Sequence, residues 1–156
     1  MVLTVKDGMF AEEKQYEFYD EEGTLKYSAK GEFPSEGEGV TVYNEFDEFI
    51  GEITRKLVNF RSTFYLEVPK YGILTIGKEF TYYEKHLEVE GIPLSIEGDF
   101  TLYDFTVVAD EEAVMTVTSG MKGGVSYVKL FIEDEHYADV LVNLFVVVDL
   151  VNRDGD

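Results

Sequence analysis

Asp134-Glu-His-Tyr-Ala-Asp-Val-Leu-Val-Asn-Leu-Phe-Val-Val-Val-Asp-Leu-Val-Asn-Arg153 decides the fold. It reads as one helix, over about 135–152, that is apolar almost all the way round. Such a helix has no face to offer water and must be enclosed on every side. Asp134 is placed to cap it, Asp139 lies near its positive end and Arg153 near its negative end. Its longest unbroken apolar run, Leu144 to Val148, is far short of the roughly 20 residues a bilayer needs. No integral membrane segment is expected.

Upstream of the helix the pattern changes to period two. Twelve strands are predicted, at 2–6, 14–19, 24–31, 39–43, 49–56, 63–68, 72–78, 85–90, 93–97, 103–109, 113–118 and 126–133. Tyr16 and Phe18 alternate with Glu17, Leu87 and Val89 with Glu88, and Phe105 and Val107 with Asp104. One polar face per strand means a sheet wet on one side. Asp20 to Gly23, Pro69 to Gly72 and Glu90 to Pro93 supply Gly or Pro where the chain must reverse. Gly31 to Gly39 is the longest loop-like stretch, and nothing resembles an interdomain linker.

The two patterns explain each other. Twelve strands about 4.8 Å apart, tilted ~40°, enclose a bore of about 24 Å that inward side chains alone cannot fill. A helix about 10–12 Å across can fill it. The expected fold is mainly β: one domain over 1–156, with a twelve-stranded closed antiparallel barrel over about 2–133 around a hydrophobic C-terminal helix.

Composition bounds the function. The 156 residues carry 32 acids and 13 Lys or Arg, a formal net charge of −19. That excludes bulk binding to nucleic acid and to broad anionic membrane. The imbalance is uneven: residues 1–54 hold 14 acids and 4 bases, and residues 86–156 hold 15 and 3. Residues 55–85 reverse it, with 3 acids and 6 bases. Arg55, Lys56, Arg61, Lys78 and Lys85, with Lys70 between them, are therefore the candidate anion-binding residues. They lie on consecutive strands and are predicted to form one patch with weak affinity for a small anion or a lipid headgroup. The competing reading is a protein–protein interaction module whose acidic surface meets a basic partner.

Without cysteine, and with only His86 and His136, the chain offers no ligand spacing for zinc or iron, and no metal or cofactor is expected. The acidic triplets 20–22, 110–112 and 133–135 lack calcium-loop spacing, and the first two read as solvated turns. Gly120-Met-Lys-Gly-Gly124 lacks the phosphate-loop pattern and reads as a hairpin. No catalytic residue is assigned. Asp139 and Asn143 share a helix face and are predicted as polar groups of the barrel interior, in need of partners there. No signal-peptide pattern is seen, so a cytoplasmic, non-enzymatic binding or scaffold domain is the expectation.

The chain resembles the LURP-one-related family, which shares the tubby C-terminal fold with the phospholipid scramblases. The resemblance runs over essentially the whole chain. It is carried by Lys14-Gln-Tyr-Glu-Phe-Tyr-Asp-Glu-Glu-Gly23, Phe64-Tyr-Leu-Glu-Val68, His86-Leu-Glu-Val-Glu-Gly91, Ser95-Ile-Glu-Gly-Asp-Phe100, Ser126-Tyr-Val-Lys-Leu-Phe-Ile132 and the helix end Val146-Val-Val-Asp-Leu-Val151. It implies a twelve-stranded barrel around a central helix. Tubby domains bind phosphoinositide headgroups through basic residues, and those residues do not map onto this chain. Family members often carry a basic pair where this chain has Thr118-Ser119-Gly120. The scramblases' palmitoylated cysteines and calcium loop are likewise without a counterpart.

Overall fold

A computed structural model describes residues 1–6, 15–31, 39–58, 61–80 and 85–154; the side chains of Lys6, Gln15, Val58, Arg61, Glu79, Phe80 and Lys85 lie outside that description. Most of the expected loop at 31–39 also lies outside the described residues.

Twelve strands form where the alternation places them. They are β1 (Val2–Lys6), β2 (Gln15–Tyr19), β3 (Leu25–Gly31), β4 (Gly39–Asn44), β5 (Phe49–Val58), β6 (Arg61–Val68), β7 (Gly72–Phe80), β8 (Lys85–Glu90), β9 (Ser95–Asp99), β10 (Asp104–Ala109), β11 (Glu112–Lys122) and β12 (Val125–Ile132). All pairs are antiparallel, in the order β8-β7-β6-β5-β4-β3-β2-β1-β12-β11-β10-β9. Pairing of β1 with β12, from Val2 opposite Phe131 to Lys6 opposite Tyr127, draws the first strand against the last.

The barrel is nearly closed. Among the described residues no ladder joins β8 to β9, the two ends of that order. The cause lies in the turn between them. Leu94 N–H donates to Ile92 C=O at 2.8 Å, a tight turn centred on Pro93, which has no N–H for a ladder, and Ile92 and Leu94 go into the core. Ladder groups give way to apolar anchors there. The strand expected at 93–97 accordingly begins at Ser95.

Tight turns set the register elsewhere. Asp110 and Glu111 take positive φ between β10 and β11. Gly123 and Gly124 do so between β11 and β12, where Lys122 faces Val125. The hairpin predicted across 120–124 is thus a two-residue turn, and Gly120 to Lys122 are strand. Asp20 folds its own turn, accepting from the Glu22 and Thr24 amides at 2.9 Å each.

The helix fills the bore. A 3-10 turn over Glu135–Tyr137, capped by Asp134, leads into α1 (Ala138–Arg153). Asp134 therefore caps the lead-in turn rather than the α-helix itself. Every residue of α1 from Val140 to Val151 is buried. Strands supply the matching layer: Leu3 and Val5, Val40 and Val42, Leu66, Leu74 and Ile76, Val128 and Leu130 all point inward. Phe145 packs edge-on against Phe18 with ring centroids 5.9 Å apart.

Candidate functional site

Strand parity sorts the basic run first. On β5, Ile53 is buried, so Arg55 two residues on faces inward and Lys56 faces out. Arg55 forms an ion pair with Asp154, just past the end of α1, and lies 3.4 Å from Ser62 Oγ. The Asp154 side chain is only 1% exposed. A carboxylate at the negative end of a helix repels the last carbonyls, and Arg55 offsets that repulsion. Lys78, in phase with Leu74 and Ile76, also turns to the inner face and has partners of its own. Arg55 is thus taken up by the barrel's lower mouth, where α1 ends. Arg61 pairs with Val58 and Lys85 with Phe80 along the ladders. The structure brings Arg55 and Lys78 to the inner face, sets Lys56 on the outer one, and does not gather the run into one outward patch.

Lys56 faces a shallow groove of about 340 Å³ on the outer sheet, lined also by Glu52, Thr54, Tyr65, Glu67 and Ile73. Its ammonium lies 5.8 Å from the centre of the Tyr65 ring, close enough for a modest cation–π attraction. Glu52 and Glu67 stand directly opposite each other across β5 and β6.

A polar cluster that the sequence reading passed over lies deep in the barrel. Asp149 is 4% exposed. Tyr16 and Tyr103 donate their hydroxyls to its two oxygens, and Arg153 Nε donates at 2.7 Å from one helical turn on. The charge is therefore compensated where it is desolvated. The signal was present: an Asp inside an unbroken apolar helix must find partners, and Arg153 stands four residues on. The two tyrosines, 133 and 46 residues away in sequence, carried no such mark.

These phenols give the fold a pH signature. Burial first, and then the Asp149 charge, pushes Tyr16 and Tyr103 well above the usual tyrosine range. Burial and Asp139 do the same for Tyr27. A raised folded pKa means the stabilisation is complete below the unfolded value near 10 and is lost as pH climbs past it. Urea unfolding measured from pH 8 to 11.5 is expected to show stability falling above about pH 10, by ~1.4 kcal/mol per pH unit for each phenol involved. Tyr16→Phe should flatten that fall. An unchanged slope in the variant would mean that Tyr16 reaches water.

The upper mouth is built at the start of α1. Asn143 is fully buried; its amide donates to Ile50 C=O at 3.2 Å and to Asp139 C=O at 2.8 Å. Asp139 itself is exposed, not interior as expected, because the first turn of α1 lies at the rim; Tyr27 donates to it at 3.0 Å. Beside it opens a cleft of about 220 Å³ lined by Phe49, Ile50, Val68, Lys70, Tyr71, His136, Asp139 and neighbouring apolar groups. Lys70 sits in the β6–β7 turn, closed by Tyr71 N–H to Val68 C=O at 2.9 Å. Neither Lys70 nor His136 has an ion pair among the described residues. His86 lies apart, 3.2 Å from Glu88. No group of three or more His, Asp or Glu among the described residues is arranged to hold a metal. No helix there is long and apolar enough to cross a membrane.

Known proteins share this architecture. A solved structure of an Arabidopsis thaliana protein superposes with a TM-score of 0.58 at 11% identity, covering 95% of this chain and 90% of that one. YxjI of Bacillus subtilis (strain 168), itself described as uncharacterized, is 21% identical over 152 residues, 96% of this chain and 92% of its own length. The LURP-one-related family model matches residues 1–149, from β1 through most of the enclosed helix, and the chain belongs to that family.

Proposed function

We propose that this domain is a non-enzymatic binding module that takes an anionic group at its surface, in a cytoplasmic setting. One observation carries the reading. In a chain with 32 acids and 13 bases, Lys56 and Lys70 each line a surface cleft, and neither has an ion-pair partner among the described residues. The interior supports it by contrast, since α1 fills the bore and Asp149 is committed to Tyr16, Tyr103 and Arg153. Arg61 and Lys85 stand on the strands beside them, while Lys78 turns to the inner face and drops out of the set. Arg55 contributes through the Asp154 ion pair, by holding the lower mouth.

Free phosphate and a phosphorylated lipid headgroup present the same chemistry. NMR titration with inorganic phosphate, and separately with inositol trisphosphate, is expected to give weak shifts within residues 55–85. The shifts should fade between 50 and 300 mM salt, as exposed charges are screened, and vanish in Lys56→Ala/Lys70→Ala. Vesicles carrying the headgroup would distinguish the lipid from the free anion. Shifts elsewhere, or shifts that survive in the double variant, would refute the reading.

The second reading is a basic protein partner on the acidic surface. The opposed Glu52 and Glu67 favour it, because like charges directly across a ladder are destabilising until a cation joins them.

A further inference from the structure

The upper-mouth cleft combines features that narrow its ligand. Its floor is apolar, with Ile50, Val68 and Val140 all buried. Its rim holds Tyr71 and the half-exposed Phe49. At about 220 Å³ it falls below the roughly 300–1,000 Å³ of sites for drug-sized ligands. The occupant is therefore small, and part of it is hydrocarbon.

Charge narrows the class further. Lys70 provides one full positive charge without an ion-pair partner among the described residues, and His136 adds a ring N–H able to donate. The first amides of α1 add the partial positive charge of a helix start. Against them stands Asp139, whose carboxylate lines the same cleft and is only half engaged by Tyr27. Lys70 and the helix start together outweigh Asp139 by about half a charge, a small positive excess. It suits a single negative charge and disfavours a dianion, which Asp139 would repel.

We infer that this cleft is a binding site for a small monocarboxylate with an apolar body, its carboxylate toward Lys70 and His136 and its hydrocarbon on Ile50, Val68 and Val140. The site rests on the anion-binding reading and assigns it a place and a ligand class. The apolar floor supplies affinity in proportion to the area covered, and Lys70 supplies orientation.

Three probes separate the contributions, each followed by NMR on the full chain. Phenylacetate has both the charge and the apolar body, benzyl alcohol the body alone, and inorganic phosphate the charge alone. Phenylacetate is expected to shift the amides of Ile50, Val68, Tyr71 and Val140. Benzyl alcohol and phosphate should bind there at least fivefold more weakly. Lys70→Met, an exposed change that leaves the core untouched, should weaken phenylacetate at least fivefold while the rest of the spectrum stays in place. Phenylacetate without effect on the cleft would overturn the site. Equal binding of benzyl alcohol, or an indifferent Lys70→Met, would overturn the role of the carboxylate. Phosphate bound in the cleft as tightly as phenylacetate would overturn the monocarboxylate class. Phosphate shifts confined to Lys56 and its strand neighbours, with phenylacetate silent, would sink this site and leave the broader anion reading standing.

Discussion

A chain ending at Tyr137 is expected to be insoluble or molten. It would lack ten buried apolar side chains larger than alanine, from Val140 to Val151. At about 1.5–3 kcal/mol for each such side chain, the loss exceeds the roughly 5–15 kcal/mol by which a whole domain is stable. The strands cannot close over the gap. Leu3, Val40, Leu66, Leu74, Val117 and Leu130 would all face an empty bore, and a bore that wide is more than their side chains can span. Circular dichroism with a thermal melt gives the answer. A soluble truncated chain that melts cooperatively would show that the barrel stands without its helix.

The second large effect is expected at Gly51. Its φ is unremarkable, so the requirement is for space. A Cβ there would lie 2.0 Å from Asn143 Oδ1 and 2.9 Å from Nδ2. The Asn143 amide is held by Ile50 C=O and Asp139 C=O and has no room to retreat. Its Oδ1 is buried without a conventional donor, and the close approach of the Gly51 α-carbon provides the weak C–H contact such an oxygen can accept. Gly51→Ala is expected to cost at least about 3 kcal/mol, a fall of ~6–12 °C in Tm for a chain of this size. Asn143→Ala alone should also destabilise, by removing the buried side-chain hydrogen bonds to Ile50 C=O and Asp139 C=O. Combined, the two changes should cost clearly less than their sum, because the alanine methyl then occupies the space of the lost amide. Strict additivity in a double-mutant cycle would show that the two residues do not touch.

The charge pattern of the sequence has a structural explanation that its reading as one anion patch missed. The excess of bases at 55–85 partly serves the protein itself. Arg55 neutralises Asp154 at the negative end of α1, and Lys78 turns to the same inner face. Composition records that bases are concentrated there. It does not record that alternate residues of one strand leave on opposite faces of a sheet, so Arg55 and Lys56, adjacent in sequence, serve different surfaces.

The sequence by itself determined what local periodicity can encode. Period two in twelve segments fixes strands and their inward faces. An all-round apolar stretch fixes a helix that must be enclosed, and Asp134 marks its start. Strand number and helix size together fix a filled barrel. Three features escaped it: the partners of Asp149, the fit of Gly51 against Asn143, and the cleft that joins Lys70 to His136 across 66 positions. Each depends on strand register and on the rotation of α1 within the bore. Those are set by packing between segments far apart in the chain, where a shift of one residue would exchange every inward side chain for an outward one. No local pattern carries that information, and only the assembled barrel settles it.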